Sequence, residues 1–205
     1  MSSHAQETAY IRIVNASPNA PAVDVFVNGH LVADDLAYTA FTEYMPAEPG
    51  VYEIRVMPTG LNSVLATLEQ AELLPGDIYT LAVIGLETDL SLELIPDSPR
   101  GQAPNGRAFM RFINLSPYDT EFDIQLSGAP VVTALRFTES SDYVSMNPGM
   151  YQMKVFSSRD GQLALSNPRV PVRANRYYAA YIVGLERGTP PLQVLLPLEG
   201  VTYLR

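Results

Sequence analysis

The chain has 205 residues, of which 47% are hydrophobic and 17% are charged, and its formal net charge is −9. This composition is typical of a folded globular protein and excludes an intrinsically disordered one. The absence of cysteine excludes disulfides, thiol catalysis and thiolate metal sites.

The first half of the sequence consists of short segments in which apolar and polar residues alternate. Residues 10–14 and 23–27 alternate in this way, which predicts strands with one buried face. Asn28-Gly29 follows at once and predicts a two-residue hairpin turn, because both residue types tolerate positive φ. Further strands are predicted at residues 31–35, 39–45, 51–57, 64–69, 78–84 and 90–95.

The second half repeats the first at a constant offset of 99 residues, from Ile11 through Glu87. A constant offset over this length indicates two copies of one folded unit. The matched residues include Arg12 and Arg111, Asn15 and Asn114, Ser17 and Ser116, Asp24 and Asp123, and Tyr44 and Tyr143. Strands of the second copy are predicted at residues 108–113, 122–126, 131–137, 140–146, 150–156, 163–167, 177–183 and 192–196.

Each copy is predicted to form its own domain, at residues 9–97 and 107–205, with a linker rich in proline and glycine at 98–106. Many short strands separated by turns indicate an all-β fold of two tandem antiparallel Greek-key sandwiches, immunoglobulin-like or transthyretin-like. Tyr79 and its counterpart Tyr178 resemble the tyrosine corner of such sandwiches, in which the hydroxyl bonds to the main chain a few residues upstream.

Charge is divided unevenly between the copies. Residues 1–98 carry 14 acidic and 2 basic side chains, whereas residues 99–205 carry 8 acidic and 11 basic ones. The acidic first copy would repel phosphate, so nucleic acid is not an expected partner. We predict instead an electrostatic contact between copies, within one chain or head-to-tail between chains. Its candidate residues are Glu69, Glu72 and Asp77 in the first copy, and Arg169, Arg173 and Arg176 in the second.

Three repeated polar residues have two interpretations. Asn15, Ser17 and Asp24 recur as Asn114, Ser116 and Asp123. Asn and Ser before proline form turns by bonding to main-chain groups two residues on, and Asp satisfies loop donors in the same way. Alternatively, these loops form a ligand or cation site. The structural interpretation is preferred.

Catalytic motifs are missing from the sequence. The two histidines, His4 and His30, have no counterpart in the second copy, and neither a Gly-x-Ser-x-Gly elbow nor a glycine-rich phosphate loop occurs. Asp34-Asp35 offers clustered oxygens for calcium but lacks a calcium-loop pattern. We therefore expect no enzyme, no cofactor and no resident metal. An enzyme would need a cleft that holds two acids with opposed pKa shifts.

The aromatic residues are concentrated at Tyr177, Tyr178 and Tyr181. Tyrosines can stack against sugar rings, but one corner tyrosine plus a half-buried stripe on a sheet explains the same group. The longest apolar run, near residues 81–84, is far too short to span a membrane.

The run RIVNASPNAPAVDVFVNG, from Arg12 to Gly29, closely resembles the opening of a bacterial family, domain of unknown function 4397 (DUF4397). The family's later P-A-G-x-Y and L-x-G-x-x-Y elements correspond to PGVY at residues 49–52 and LPGDIY at residues 74–79. In the second copy, YDTEF at residues 118–122 replaces part of the opening. The positions that carry over there are Arg111, Asn114, Ser116, Pro117, Asp123 and Gly128.

The resemblance implies a β-sandwich module that is often repeated and often exported, with no established activity to transfer. Residues 1–8 are polar and lack the apolar stretch of a secretion signal, so a cytoplasmic location stays open. We expect a non-catalytic module of the bacterial cell surface or secreted fraction, acting in scaffolding, adhesion or protein interaction. A carbohydrate- or peptide-binding module, using surface tyrosines or the loop Asn, Ser and Asp, is the alternative.

Overall fold

The structure is a computed structural model that describes residues 7–97 and 105–204. The chain divides into two compact units, Met1–Pro99 (unit 1) and Arg100–Arg205 (unit 2). His4 and most of the predicted linker lie outside the described residues. Within the part that is described, no helix is long and apolar enough to cross a membrane.

Unit 1 contains eight strands in two four-stranded sheets. The strands are β1 (Ala9–Asn15), β2 (Val23–Val27), β3 (His30–Leu36), β4 (Met45–Ala47), β5 (Gly50–Pro58), β6 (Ala66–Leu73), β7 (Ile78–Ile84) and β8 (Ser91–Pro96). The strand orders are β4-β1-β7-β8 and β3-β2-β5-β6. A short 3-10 helix, Glu87–Asp89, precedes β8.

Unit 2 repeats this arrangement strand for strand. Its strands are β9 (Ala108–Asn114), β10 (Glu121–Leu126), β11 (Ala129–Arg136), β12 (Val144–Met146), β13 (Gly149–Ser157), β14 (Leu163–Val172), β15 (Tyr177–Val183) and β16 (Gln193–Leu195), and a 3-10 helix follows at Gly200–Thr202. The sheets have the orders β12-β9-β15-β16 and β11-β10-β13-β14. The predicted pair of β-sandwiches is therefore confirmed.

One strand pairing in each unit is parallel, β1 with β7 and β9 with β15, while the others are antiparallel. These sheets differ from the ABED and CFG sheets of an immunoglobulin constant domain. Of the two sandwich types that the sequence allows, the transthyretin-like one describes the observed order.

The core of each unit lies between its two sheets. Because successive side chains of a strand point to opposite faces, one face of every strand points into this core. In β1, Ile13 faces this core in unit 1, and its neighbour Arg12 lies on the opposite face of the strand. Phe112 and Phe122 occupy the corresponding core of unit 2. Each sandwich thus buries apolar residues from both of its sheets.

The turns agree with the sequence at two positions and differ at one. Asn28 and Gly29 have φ values of 46° and 80°, as the predicted hairpin requires. Residues 39–45 do not form the predicted strand, because Thr39 has a φ of 72°. Apart from an isolated bridge between Phe41 and Val14, strand pairing resumes at Met45. In both units this stretch crosses from one sheet to the other, so alternation there did not indicate a strand.

The predicted tyrosine corner is present in both units. The hydroxyl of Tyr79 accepts a hydrogen bond from the backbone N–H of Leu74 at 3.2 Å. The hydroxyl of Tyr178 accepts one from the N–H of Arg173 at 2.9 Å. Asn175, at a φ of 58°, occupies the turn position that Gly76 has in unit 1.

Candidate functional site

The repeated Asn and Ser residues hold the turn that follows the first strand of each unit. The amide of Asn15 donates to the carbonyl of Leu36, and its Oδ1 accepts from the N–H of Ser17. The hydroxyl of Ser17 donates to the carbonyl of Gly85 at 2.8 Å. Both side chains are fully buried, and these bonds connect the turn to β3 and to the end of β7.

The second copy reproduces these bonds. The amide of Asn114 donates to the carbonyl of Leu135, and the hydroxyl of Ser116 donates to the carbonyl of Gly184. Thr120 adds an acceptor for Asn114 that unit 1 lacks at the equivalent Pro21. All of these partners belong to the fold itself, which is the geometry that the turn-forming interpretation requires.

Asp24 and Asp123 each accept hydrogen bonds from the neighbouring edge strand of the second sheet and from the turn after the other neighbouring strand. Oδ1 of Asp24 accepts from the N–H of Asp35 at 2.9 Å and from the hydroxyl of Thr59, and Oδ2 accepts from the N–H of Gly60. The bond from Asp35 is the main reason why the pKa of Asp24 lies below its ordinary value. Asp123 accepts in the same way from the N–H of Ala134 and the hydroxyl of Ser158.

A buried arginine cluster lies on the outer face of β1. Arg12 is 3% exposed, and its Nε donates to the hydroxyl of Thr80, which in turn donates to Oδ2 of Asp97 at 2.7 Å. Tyr44 donates to the same carboxylate oxygen at 2.5 Å. The guanidinium also lies over the rings of Phe41 and Tyr44, at 5.0 and 4.6 Å from their centroids.

Unit 2 has the same cluster with a different carboxylate. Arg111 Nε donates directly to Oε1 of Glu199 at 2.6 Å, and Tyr143 donates to Oε2. Glu199 is fully buried, and its N–H bonds to the carbonyl of Tyr177 as that of Asp97 bonds to Ile78. Glutamate is one methylene longer than aspartate, so it reaches the guanidinium without the hydroxyl that Thr80 supplies in unit 1, where unit 2 has Ala179.

Some residues of the two arginine clusters could have been identified from the sequence. A charged residue in an alternating strand, repeated at the same offset as Tyr44 and Tyr143, could have identified both arginines and both tyrosines. The two carboxylates were missed because Asp97 and Glu199 are 102 residues apart rather than 99. Three additional residues precede the second carboxylate, so a search at a fixed offset does not align them.

The three clustered tyrosines do not form an exposed surface. Tyr177, Tyr178 and Tyr181 are 5%, 7% and 0% exposed, and Tyr177 stacks on Phe109 with centroids 5.1 Å apart. Burial is also the main cause that raises the pKa of Tyr177. A different tyrosine is exposed: Tyr118, at 66%, lies in the stretch where the second copy departs from the family opening.

Tyr118 lines a pocket of about 260 Å³ in unit 2 together with Asp119, Arg159, Glu186 and Arg187. Its φ is 72°, a conformation that is uncommon for a bulky residue and that recurs at functional sites. Within the pocket wall, Arg159 donates to the carbonyl of Asp119 at 2.7 Å. The arrangement combines an aromatic face with polar groups held in place.

The residues of the predicted electrostatic contact occupy equivalent places in the two units. Glu69 and Glu72 lie on β6, and Arg169 lies on β14, each being the edge strand of its sheet. Asp77, Arg173 and Arg176 lie in the turn that follows that strand. We call β6 with its turn the acidic edge and β14 with its turn the basic edge. Their contact itself stays a prediction.

Acid–base and metal chemistry have few candidates in the described ranges. No cluster of three or more His, Asp or Glu residues able to hold a metal ion occurs in residues 7–97 and 105–204. Burial raises the pKa of Glu93, which lies on β8, whereas Asp24, with its lowered pKa, lies on β2 of the other sheet. These two carboxyl groups therefore belong to different faces of unit 1.

The fold and these clusters define a tandem transthyretin-like β-sandwich protein in which each unit is fixed by the same turn, corner and buried-arginine contacts. The chain belongs to the family described as Domain of unknown function (DUF4397), whose model matches residues 9–125 and 108–198. This confirms the resemblance seen in the opening motif.

Solved structures show distant likeness. The N-terminal domain of AlgF from P. aeruginosa is 24% identical, with 48% of this chain and 99% of that one covered and a TM-score of 0.34. A putative cell adhesion protein from Bacteroides uniformis is 10% identical, with 97% and 99% covered and a TM-score of 0.30. A streptococcal virulence factor described by its alpha-glucan binding is 10% identical, with 84% and 92% covered and a TM-score of 0.27. No curated protein sequence matches the chain.

Proposed function

We propose that the protein is a non-catalytic module of the bacterial cell surface or secreted fraction that assembles with copies of itself through its acidic and basic edges. The observation that carries this proposal is the opposite charge on the same edge strand and turn of two otherwise equivalent units. Such a pair of surfaces is heterologous, so it joins chains head-to-tail. The proposed location follows the family resemblance.

The side chains of both edges are available for such a contact. Glu69, Glu72, Arg169 and Arg173 are exposed. None of these four has an ion-pair partner among the residues that the structure describes. Opposite charges on two such surfaces accelerate encounter and exclude a like-charged partner.

Side chains rather than strand addition would make the contact. β14 contains Pro168 and Pro171, which have no N–H to offer to an added strand. β6 has no proline, so its edge keeps its donors but is flanked by like-charged glutamates. Charge pairing between side chains is therefore possible at both edges, whereas strand addition is possible only at β6.

The non-catalytic part of the proposal is supported by the repeated polar residues. Asn15, Ser17 and Asp24 use their polar atoms in hydrogen bonds with β3 and with the residue after β7. Their counterparts in unit 2 do the same. A residue whose polar atoms are used in this way has a structural task, which explains its repetition without any reaction.

Two charge-reversed chains test the assembly in sedimentation velocity. One carries Glu69→Arg with Glu72→Arg, and the other carries Arg169→Glu with Arg173→Glu. We expect the unmodified chain to associate at low salt and to dissociate at about half-molar salt, where screening shortens to a few ångströms. Each reversed chain alone should stay monomeric, and an equal mixture should associate again.

The matched control for the first chain is Glu87→Arg with Asp89→Arg, which raises the net charge by the same amount as Glu69→Arg with Glu72→Arg but in an exposed 3-10 helix. This variant should associate like the unmodified chain. Association that survives high salt, or that the control abolishes equally, would contradict the proposal.

A second candidate function, carbohydrate binding, is favoured by one observation, the exposed Tyr118 over the polar pocket of unit 2. Aromatic faces stack on sugar rings while fixed polar groups orient the hydroxyls. A glycan array on the intact chain and on Tyr118→Ala tests it. A glycan signal that the substitution removes supports the candidate, and an array without any signal eliminates it.

A further inference from the structure

Unit 1 contains an apolar cavity between its two sheets, with a volume of about 270 Å³. Its deepest walls are Ile13, Ile54 and Leu81, each at most 1% exposed. A cavity of this size with aliphatic walls stays dry and accepts small apolar molecules.

The cavity opens between two edge strands. Val32 of β3 and Met45 and Ala47 of β4 line it, and all three side chains are half-buried. β3 and β4 are each the outermost strand on one side of their sheet. A ligand can therefore enter between them without breaking a strand pair.

Unit 2 has larger, buried residues at two positions of this region, although Val144 is smaller than Met45 at a third. Ala47 and Val27, both half-buried, correspond to Met146 and Leu126, which are 5% and 4% exposed. Deeper in, Ala71 corresponds to Val170, although Leu81 corresponds to the smaller Ala180. The two units therefore share a backbone and differ in access to the space between the sheets.

Two deep positions add to this difference. Phe112 takes the place of Ile13, and Met110 takes the place of the half-buried Ile11. Both residues of unit 2 are 0% exposed. In unit 2 the side chains of Phe112 and Met110 therefore take part of the space that is open in unit 1.

The chemistry of the walls selects the ligand. Every described lining residue is aliphatic, Met or Pro apart from Tyr52, whose hydroxyl already donates to the carbonyl of Glu48 at 2.5 Å. A polar group deep in the cavity would lose its hydrogen bonds to water without replacement. The surrounding unit carries 14 acidic and 2 basic residues, so a carboxylate or phosphate at the entrance would be repelled.

We propose that the cavity of unit 1 binds the alkyl chain of an uncharged amphiphile, with the chain between the sheets and the polar end at the entrance between β3 and β4. The ligand class is a long-chain alcohol or an uncharged acyl ester. Unit 2 does not take this ligand, because its own side chains fill the equivalent path.

Methyl-resolved NMR of the intact chain, titrated with 1-hexanol, 1-octanol and 1-decanol, tests the proposal. We expect shifts at the methyl groups of Ile13 and Ile54 with one alcohol bound per chain, and little change at Ile124 and Ile182 of unit 2. Affinity should rise about fourfold for each added methylene until the cavity is full. Octanoate at neutral pH should bind several-fold more weakly than octanol.

The closing variant is Ala47→Met with Val27→Leu, which copies residues that unit 2 already accommodates. It should lose octanol binding at least tenfold while the thermal unfolding midpoint shows that the chain still folds. The control is Val51→Met, an exposed position on β5 that does not line the cavity, and it should bind as before.

Four results would overturn the proposal. They are the absence of octanol-dependent shifts at Ile13 and Ile54, equal shifts in unit 2, unchanged binding in the closing variant, and preference for octanoate. If only an apolar peptide produced the shifts at Ile13, the site would belong to a protein partner and the alkyl-chain proposal would be wrong.

Discussion

Unit 1 and unit 2 have the same strands, sheet orders, tyrosine corners and turn hydrogen bonds, yet they differ in the charge of one edge and in access to the core. The common features are those that hold the backbone, such as Asn15 with Asn114 and Ser17 with Ser116. The differences lie at the surface and at the cavity entrance. This comparison indicates that duplication kept the framework and left the contact surfaces free to diverge.

The buried arginines show how a difference can preserve one contact. The hydroxyl of Thr80 accepts a hydrogen bond from Arg12 and donates one to Asp97, whereas in unit 2 Arg111 donates directly to Glu199. Unit 1 uses the shorter aspartate together with a threonine hydroxyl, and unit 2 uses the longer glutamate without one. Both arrangements place a carboxylate beside the buried arginine cluster. In both units a tyrosine donates to the carboxylate and lies beneath or beside the guanidinium.

The largest expected effect comes from removing one buried charge. Arg111→Met leaves Glu199 without its cation, which should cost about 3–5 kcal/mol of the unfolding free energy of unit 2. Denaturant unfolding, followed through resonances of unit 2, measures this cost. Arg136→Met is the control, because its ion pair with Glu121 is exposed and should contribute less than about 1 kcal/mol. Equal costs for the two substitutions would show that the buried cluster is not a structural anchor.

A smaller effect tests whether the two clusters are alternative solutions. Thr80→Ala should destabilise unit 1 by about 1–3 kcal/mol, because it removes the hydroxyl between guanidinium and carboxylate. Adding Asp97→Glu recreates the pair of residues found in unit 2 and should recover about 1 kcal/mol or more of that loss. If the double variant is no more stable than the summed free-energy changes of the two single variants predict, the two clusters are not alternative solutions.

The smallest effect concerns pH and Asp24. Its pKa is lowered in the folded state by the N–H of Asp35, so the stabilisation is complete above the unfolded pKa of about 3.9 and is lost as pH falls through the folded value. Asp24→Asn should therefore cost about 0.5 kcal/mol at pH 7 and progressively less in the acid range. A cost that stays constant down to about pH 2 would mean that the charge of Asp24 does not contribute. The control Asp89→Asn, in the exposed 3-10 helix, should change stability little at pH 7.

Much of the fold was predictable, because alternation, turn residues and the constant offset are local signals. The hairpin at Asn28-Gly29 and both tyrosine corners were predicted and are confirmed. Residues 39–45 were predicted wrongly, because alternation alone does not show where the chain leaves one sheet for the other. The pairing between β1 and β7 could not be predicted, since five other strands separate the two partners in the chain.

The candidate sites were predictable to a lesser degree. Sequence identified the polar repeats and the charge imbalance, and it explained Tyr177, Tyr178 and Tyr181 by a corner tyrosine with a half-buried stripe on a sheet. It gave no signal for the exposed Tyr118. The cavity depends on the combined size of side chains from strands that are distant in sequence. Only the three-dimensional register of β3, β4 and the opposing sheet shows that Ala47 leaves an entrance where Met146 closes one.

The most direct test of the account is to produce residues 1–99 and 100–205 as separate chains and to measure their sedimentation alone and mixed. The account predicts that each folds, that neither associates with itself, and that the mixture forms a complex at low salt that dissociates at about half-molar salt. A mixture that shows no complex at low salt, or one that salt does not weaken, would contradict the claim that the two units diverged into complementary surfaces.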